Sequence, residues 1–108
     1  MKPVQTSPDC ATKLAVLADP TRLAVIGVLL GGSRNVKEIN RHVGIAQNLL
    51  SHHLRVLREA EIVTCRRDGK AVKYTLADGV EIGPSHNAIN LGCCSLEFKS
   101  RKAGRKVC

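Results

Sequence analysis

Two groups of residues in this 108-residue chain have the types and spacing for chemistry. The first is sulfur: Cys93 and Cys94 are adjacent, with Cys10, Cys65 and Cys108 elsewhere. Thiolates are soft ligands, suited to trivalent arsenic or antimony, copper(I), zinc or cadmium. Arsenite favours three sulfurs, so the pair needs one more, from Cys10 or from Cys108. The second group lies in AQNLLSHHLRVLREA, Ala46 to Ala60. At helical spacing Leu50, Leu54 and Leu57 stack on one side, while Asn48, Ser51, His52 and Arg55 gather on another. An amide, a hydroxyl, an imidazole and a guanidinium on one outward face suit the base edges of a DNA major groove, which predicts a recognition helix.

Each group has plainer readings. Cys93 and Cys94 also fit one buried cysteine beside one idle thiol, or an oxidation or persulfide switch tuned by the neighbouring basic tail. In an alternating strand adjacent residues point to opposite faces, so joint ligation requires a turn or bulge at Gly92. His52 and His53 project about 100° apart on a helix and do not easily share one metal; a DNA contact suits His52, and packing or a phosphate contact suits His53. His42 and His86 have no partner at ligand spacing and read as surface residues.

The elements that must position these groups follow from punctuation in the chain. Residues 1–7 form a loose arm. A helix runs from Pro8, with Ser7 as cap, through inward Cys10, Leu14 and Leu17 to Ala18. Asp19 caps a second helix with Pro20 at its first position; Leu23, Ile26, Leu29 and Leu30 give its buried stripe, Gly27 predicts close packing against a neighbouring helix, and Gly31-Gly32 end it. Asn35 starts a third helix with Val36, Ile39 and Val43 inward, and Gly44 closes it. Gly44-Ile45-Ala46 then leads into the recognition candidate, a helix-turn-helix arrangement.

After Glu61 the apolar period changes to 2, and Asp68-Gly69 between two such runs predicts a hairpin. With those two residues as the turn, Arg67 pairs with Lys70, Cys65 lies opposite Val72 and Val63 opposite Tyr74, all on the apolar face. That makes Cys65 a small core residue and puts Arg66, Arg67 and Lys70 at a basic tip placed for phosphates. The fold class is therefore mostly α with a β-hairpin wing (α+β), a winged helix-turn-helix over 8–78. A short irregular or β segment carries the cysteines over 79–98, with a strand favoured where Cys94, Leu96 and Phe98 alternate with polar residues. A basic tail, 99–108, has five Lys or Arg in ten residues.

Composition bounds the partners. Seventeen Lys and Arg against nine Asp and Glu give a formal charge of +8, which attracts polyanions. One Tyr and one Phe with no Trp argue against stacking platforms for unpaired bases, leaving duplex DNA. No apolar run reaches membrane-span length and MKPVQTSPDC has no signal-peptide core, so a cytoplasmic protein with no membrane partner is expected. Five cysteines, an odd number, in a reducing compartment argue against a structural disulfide framework. No nucleophile, base and orienting residue stand at motif spacing, so no enzyme is expected.

LADPTRLAVIGVLL (17–30), AQNLLSHHLRVLREAEIV (46–63) and RRDGKAVKYTL (66–76) together resemble the ArsR/SmtB family of arsenical-resistance and metal-sensing winged-helix repressors, over about two thirds of the chain. The resemblance implies a homodimer on an inverted-repeat operator that changes affinity when an inducer binds. It carries DNA contacts onto Gln47, Asn48, Ser51 and His52, with the wing at Arg66, Arg67 and Lys70. It also implies that Cys10 reaches the C-terminal cysteines across the dimer. Two family features are missing: Lys37 to His42 holds no Cys-x-Cys sensor, and Asp78 to Phe98 does not read as the usual C-terminal amphipathic helix. The expectation is a repressor released by a thiophilic metal or metalloid, arsenite or antimonite first, at Cys93, Cys94 and a third cysteine. A thiol-redox regulator and a constitutive basic DNA-binding architectural protein are the alternatives.

Overall fold

The computed structural model describes residues 8–78, 80–83 and 87–99. The expected arm, Ser7 as cap, His86, Cys108 and the tail beyond Lys99 lie outside the described residues. Four helices come first: α1 (Pro8–Leu17), α2 (Pro20–Leu29), α3 (Val36–Val43) and α4 (Gln47–Glu59). A two-residue strand, β1 (Arg34–Asn35), precedes α3; β2 (Val63–Asp68) and β3 (Ala71–Leu76) form the wing. Three short strands follow, β4 (Glu81–Ile82), β5 (Ala88–Asn90) and β6 (Ser95–Glu97). All pairings are antiparallel, in two sheets ordered β1-β3-β2 and β4-β5-β6.

Local chemistry sets the helix boundaries. Asp19 caps α2 by accepting from the Arg22 backbone N–H at 2.9 Å, with Pro20 in the first turn. Asn35 and Glu38 form a reciprocal capping box at the start of α3, each bond 2.8 Å long. Gly44, at φ 72°, closes α3 in the left-handed region. The end of α4 has the same hydrogen-bond logic without a glycine. Ile62 N–H reaches the Leu57 carbonyl at 3.1 Å and Glu61 N–H the Arg58 carbonyl at 3.0 Å, while Glu61 itself sits at φ 61°. This Schellman closure buries Ile62 against Leu57 and starts the wing immediately after the recognition helix.

Leu17, Val25, Ile26, Leu29, Ile39, Leu50, Leu54, Leu57, Ile62 and Val63 form one core, which Val80, Ile89 and Leu91 extend into the second sheet. Burying each large aliphatic contributes about 1.5–3 kcal/mol. The expected stripe of α2 is corrected: Leu23 is 36% exposed and Val25 takes its place, so the buried set is Val25, Ile26, Leu29 and Leu30. Gly27 lies on the same outward side as Leu23, and a Cβ there would meet nothing within 4 Å, so it marks no close helix packing. Leu14 of α1 likewise faces outward, at 40% exposed, while Cys10 and Leu17 are buried.

The wing register differs from the sequence-based expectation. Asp68 pairs with Ala71, Arg67 with Val72, Cys65 with Tyr74 and Val63 with Leu76, so the turn is Gly69-Lys70. Gly69 stands first in that turn at φ 65° and Lys70 has no positive φ, the type II′ pattern. Asp68 thus extends β2 by one residue. Because both strands shift together, Val63, Cys65, Val72 and Tyr74 still share one face. The strand expected at Cys94 to Phe98 is present as β6, and no helix occupies the described part of 78–98.

Candidate DNA-binding face and cysteine cluster

The reading head is held by side chains close in sequence. Asn40 clasps the turn between α3 and α4: its Nδ2 donates to the Ile45 carbonyl at 2.7 Å and its Oδ1 accepts from the Ile45 N–H at 3.0 Å. That pair fixes the angle at which α4 leaves the turn. Leu50, Leu54 and Leu57 are at most 1% exposed, which fixes the rotation of α4 about its axis. Gln47, Asn48, Ser51, His52 and Arg55 consequently all project outward and are exposed. Leu49 stands among them at 46% exposed, a residue that sequence reasoning passed over because it breaks no helical pattern.

His53 turns inward instead. Its side chain is 12% exposed, and Nη1 of Arg22 lies 3.0 Å from its Nδ1. A guanidinium has donors only, so Nδ1 accepts and the ring proton sits on Nε2. Nε of Arg22 also donates to the Val16 carbonyl at 2.6 Å. The Asp19 carboxylate, 4.0 Å from His53, is held below the usual carboxylate range, first by the Arg22 backbone N–H and then by the charge of the Arg22 guanidinium. Glu38 is held low as well, first by the Asn35 backbone N–H of its capping box and then by Lys73, Arg34 and Arg41. Sequence reasoning missed Arg22; the signal was its place three residues after a capping Asp-Pro.

Arg66, Arg67 and Lys70 are exposed on the wing. As neighbours on a strand, Arg66 and Arg67 face opposite sides, and Arg66 pairs with Lys73 across the hairpin. Cys65 is half-buried on the inner face, with Nη1 of Arg58 at 3.7 Å from its sulfur, and stands apart from Cys10, Cys93 and Cys94.

Cys10, Cys93 and Cys94 converge within one protomer. Cys10, in the first turn of α1, is joined to Cys93 by a disulfide across 83 residues of sequence. The sulfur of Cys94 lies 3.8 Å from that of Cys10 and 3.9 Å from that of Cys93, and the three ligand atoms fall within 4.8 Å of one another. Two expectations are corrected. A disulfide is present, because the start of α1 meets the turn between β5 and β6, and Cys10 meets Cys93 and Cys94 inside one chain rather than across a dimer. The turn required at Gly92 is there. Gly92 adopts φ 91°, its N–H donates to Asn90 Oδ1 at 2.8 Å, and Leu91 N–H donates to the Cys94 carbonyl at 2.8 Å. This brings adjacent cysteines to one side, as a straight strand would not.

The donor set fits a soft ion. When reduced, it offers three thiolates, and no imidazole or carboxylate joins them among the described residues, so it lacks the fourth ligand of a closed tetrahedral zinc site. Closing the disulfide leaves Cys94 as the remaining thiol of the cluster.

The sequence profile described as bacterial regulatory protein, arsR family, matches residues 19–64, from the α2 cap through α4 into the wing. A probable mercury resistance operon repressor of Streptomyces lividans is 37% identical over 99 residues, covering 83% of this chain and 79% of that protein. The chain belongs to the ArsR family. Among solved structures, the transcriptional repressor BigR of Xylella fastidiosa matches with a TM-score of 0.61 at 38% identity, over 66% of this chain and 72% of that one. The homodimeric winged helix-turn-helix DNA-binding domain of Mb0332 from Mycobacterium bovis matches with a TM-score of 0.61 at 29% identity, over 64% of each chain. Membership makes the protein a transcriptional regulator of the winged helix-turn-helix type, in a family of DNA-binding proteins rather than enzymes. No helix among the described residues is long and apolar enough to cross a membrane.

Proposed function

We propose that this ArsR-family protein is a cytoplasmic, homodimeric repressor that reads an inverted-repeat operator and leaves it when a thiophilic metal or metalloid binds Cys10, Cys93 and Cys94. Arsenite and antimonite are the favoured inducers. Gln47, Asn48, Ser51, His52 and Arg55 make the groove contacts, Leu49 adds an apolar contact suited to a thymine methyl, and Arg66, Arg67 and Lys70 of the wing contact phosphates. The convergence of three cysteine sulfurs within 4.8 Å is the observation that carries this reading, with the likeness to a mercury-operon repressor beside it. Cys108 drops out as a necessary third ligand, since Cys10 already stands at the pair.

The Cys10–Cys93 disulfide supports a second reading, in which oxidation of the same cysteines is the signal. One series of operator titrations by fluorescence anisotropy separates the two. Under the metalloid reading, Cys94→Ser abolishes release by arsenite; under the oxidation reading, Cys94→Ser still responds to diamide while Cys93→Ser does not. Full release of Cys94→Ser by arsenite refutes the three-thiolate site. For the reading head, Asn48→Ala and Arg55→Ala lower specific binding more than non-specific binding, and equal losses in both refute the assignment.

A further inference from the structure

The cysteine cluster and the recognition helix lie at opposite ends of a short mechanical chain. Cys10 sits in the first turn of α1, and Val16 in its last turn, about 9 Å further along at the usual helical rise. A ten-residue helix of this kind moves as a rod. Whatever draws Cys10 toward the β5–β6 turn therefore tilts or shifts the carbonyl of Val16 at the other end. That carbonyl has one side-chain partner among the contacts described above, Nε of Arg22, at 2.6 Å. The same guanidinium reaches His53 on α4 through Nη1 at 3.0 Å. His53 in turn is the neighbour of the outward-facing His52, their ring centroids 5.6 Å apart.

We propose that Arg22 is the positioning residue through which the cysteine cluster acts on the recognition helix, one planar fork gripping the end of α1 and the inner side of α4 together. This rests on the reading of the cluster as a sensor. An arginine is required because its rigid guanidinium offers separate donors in fixed directions to two acceptors, whereas a lysine ammonium is a single point on a flexible stem. Asp19 steadies the fork: its carboxylate holds the Arg22 backbone at 2.9 Å and lies 4.0 Å from His53. His53 completes the link only as an acceptor at Nδ1. Closing or loading the cluster displaces α1, Arg22 follows Val16, and the pull on His53 changes the pose of the face that carries Asn48, Ser51 and His52. The reader and the sensor share no residue, so the link is separable from both.

The test compares operator affinity of the reduced protein with that of the same protein after arsenite and after diamide, using duplex DNA containing the inverted repeat upstream of its own gene. Wild type, Arg22→Lys, His53→Leu and His53→Asn are measured side by side. Far-ultraviolet circular dichroism and the near-ultraviolet thiolate–arsenic absorbance of each variant report that the fold and the cluster are intact. Allosteric coupling usually changes affinity by about 5- to 150-fold. Wild type is expected in that range for at least one of the two agents. In Arg22→Lys and His53→Leu the ratio falls below about threefold although arsenite still binds, and His53→Asn, which keeps an acceptor near the Nδ1 position, retains it. Variants that respond as wild type does overturn the relay and leave the sensor reading standing. A wild type indifferent to both agents overturns the sensor reading and the relay with it.

Discussion

The α3-turn-α4 reader and the cysteine end of the molecule are built by opposite means. In the reader, nearly every positioning contact spans three to five residues: Asn35 with Glu38, Asn40 with Ile45, and the α4 leucines at helical spacing. At the cysteine end the decisive contacts join residues separated by 83 and 84 positions. Short-range contacts cost little chain entropy to close, so the reader's shape is fixed as its helices form; the cluster exists only once α1 and the second sheet are docked on the same core. A chain divided in this way holds its helix-turn-helix by local contacts and its cysteine cluster by contacts between distant residues.

The strongest way to break this contrast is through the core the two regions share. Leu54→Ala is expected to lower stability by about 2–5 kcal/mol in urea titrations. Alkylation of Cys10 in the reduced variant should accelerate at the same time, because its protection depends on that docking; an unchanged alkylation rate would mean that the cysteine end folds independently. The disulfide probes the long-range side alone. Closing it around so large a loop should stabilise the oxidised protein over the reduced one by roughly 2–4 kcal/mol, read as a higher melting temperature that Cys93→Ser does not show.

The local side is tested by Asn40→Ala, which leaves two groups of Ile45 without their partner in a part-buried turn. It should cost about 1–3 kcal/mol and lower operator affinity while arsenite binding to the cysteines stays as in wild type. Loss of arsenite binding in that variant would join the two regions more tightly than their contacts suggest. The smallest effect expected is a gain. Glu61→Gly relieves a side chain held at φ 61° in a Schellman closure and should raise stability by about 0.5–1 kcal/mol, with operator binding unchanged.

Much of the fold was legible in order because its signals are local. Asp19-Pro20, Asn35 with Glu38, and Gly44 each mark a helix boundary by satisfying or ending backbone hydrogen bonds within a turn, and period-2 alternation marked the wing. The misses have equally physical sources. Leu23 and Leu14 carry the apolarity of core residues, but the docking angle of α1 and α2 turned them outward. The wing turn slipped by one residue since Asp-Gly and Gly-Lys both close a two-residue hairpin, and the longer ladder of β2 and β3 took the second. Glu61 gave no sign of a left-handed backbone, because the burial of Ile62 and Leu57 forces that conformation on a residue that does not prefer it.

By itself, then, the sequence determined the helix-turn-helix, the wing and the outward set Gln47, Asn48, Ser51, His52 and Arg55, since helical and strand periodicity alone decide which side of an element meets the core. It also named Cys93 and Cys94 and required a turn at Gly92 for them to act together. Only the tertiary structure decided that Cys10 meets them within one chain, that His53 points inward, and that Arg22 spans α1, α2 and α4. Those are relations between elements far apart along the chain, set by how helices and sheets dock on a common core rather than by any spacing a sequence displays.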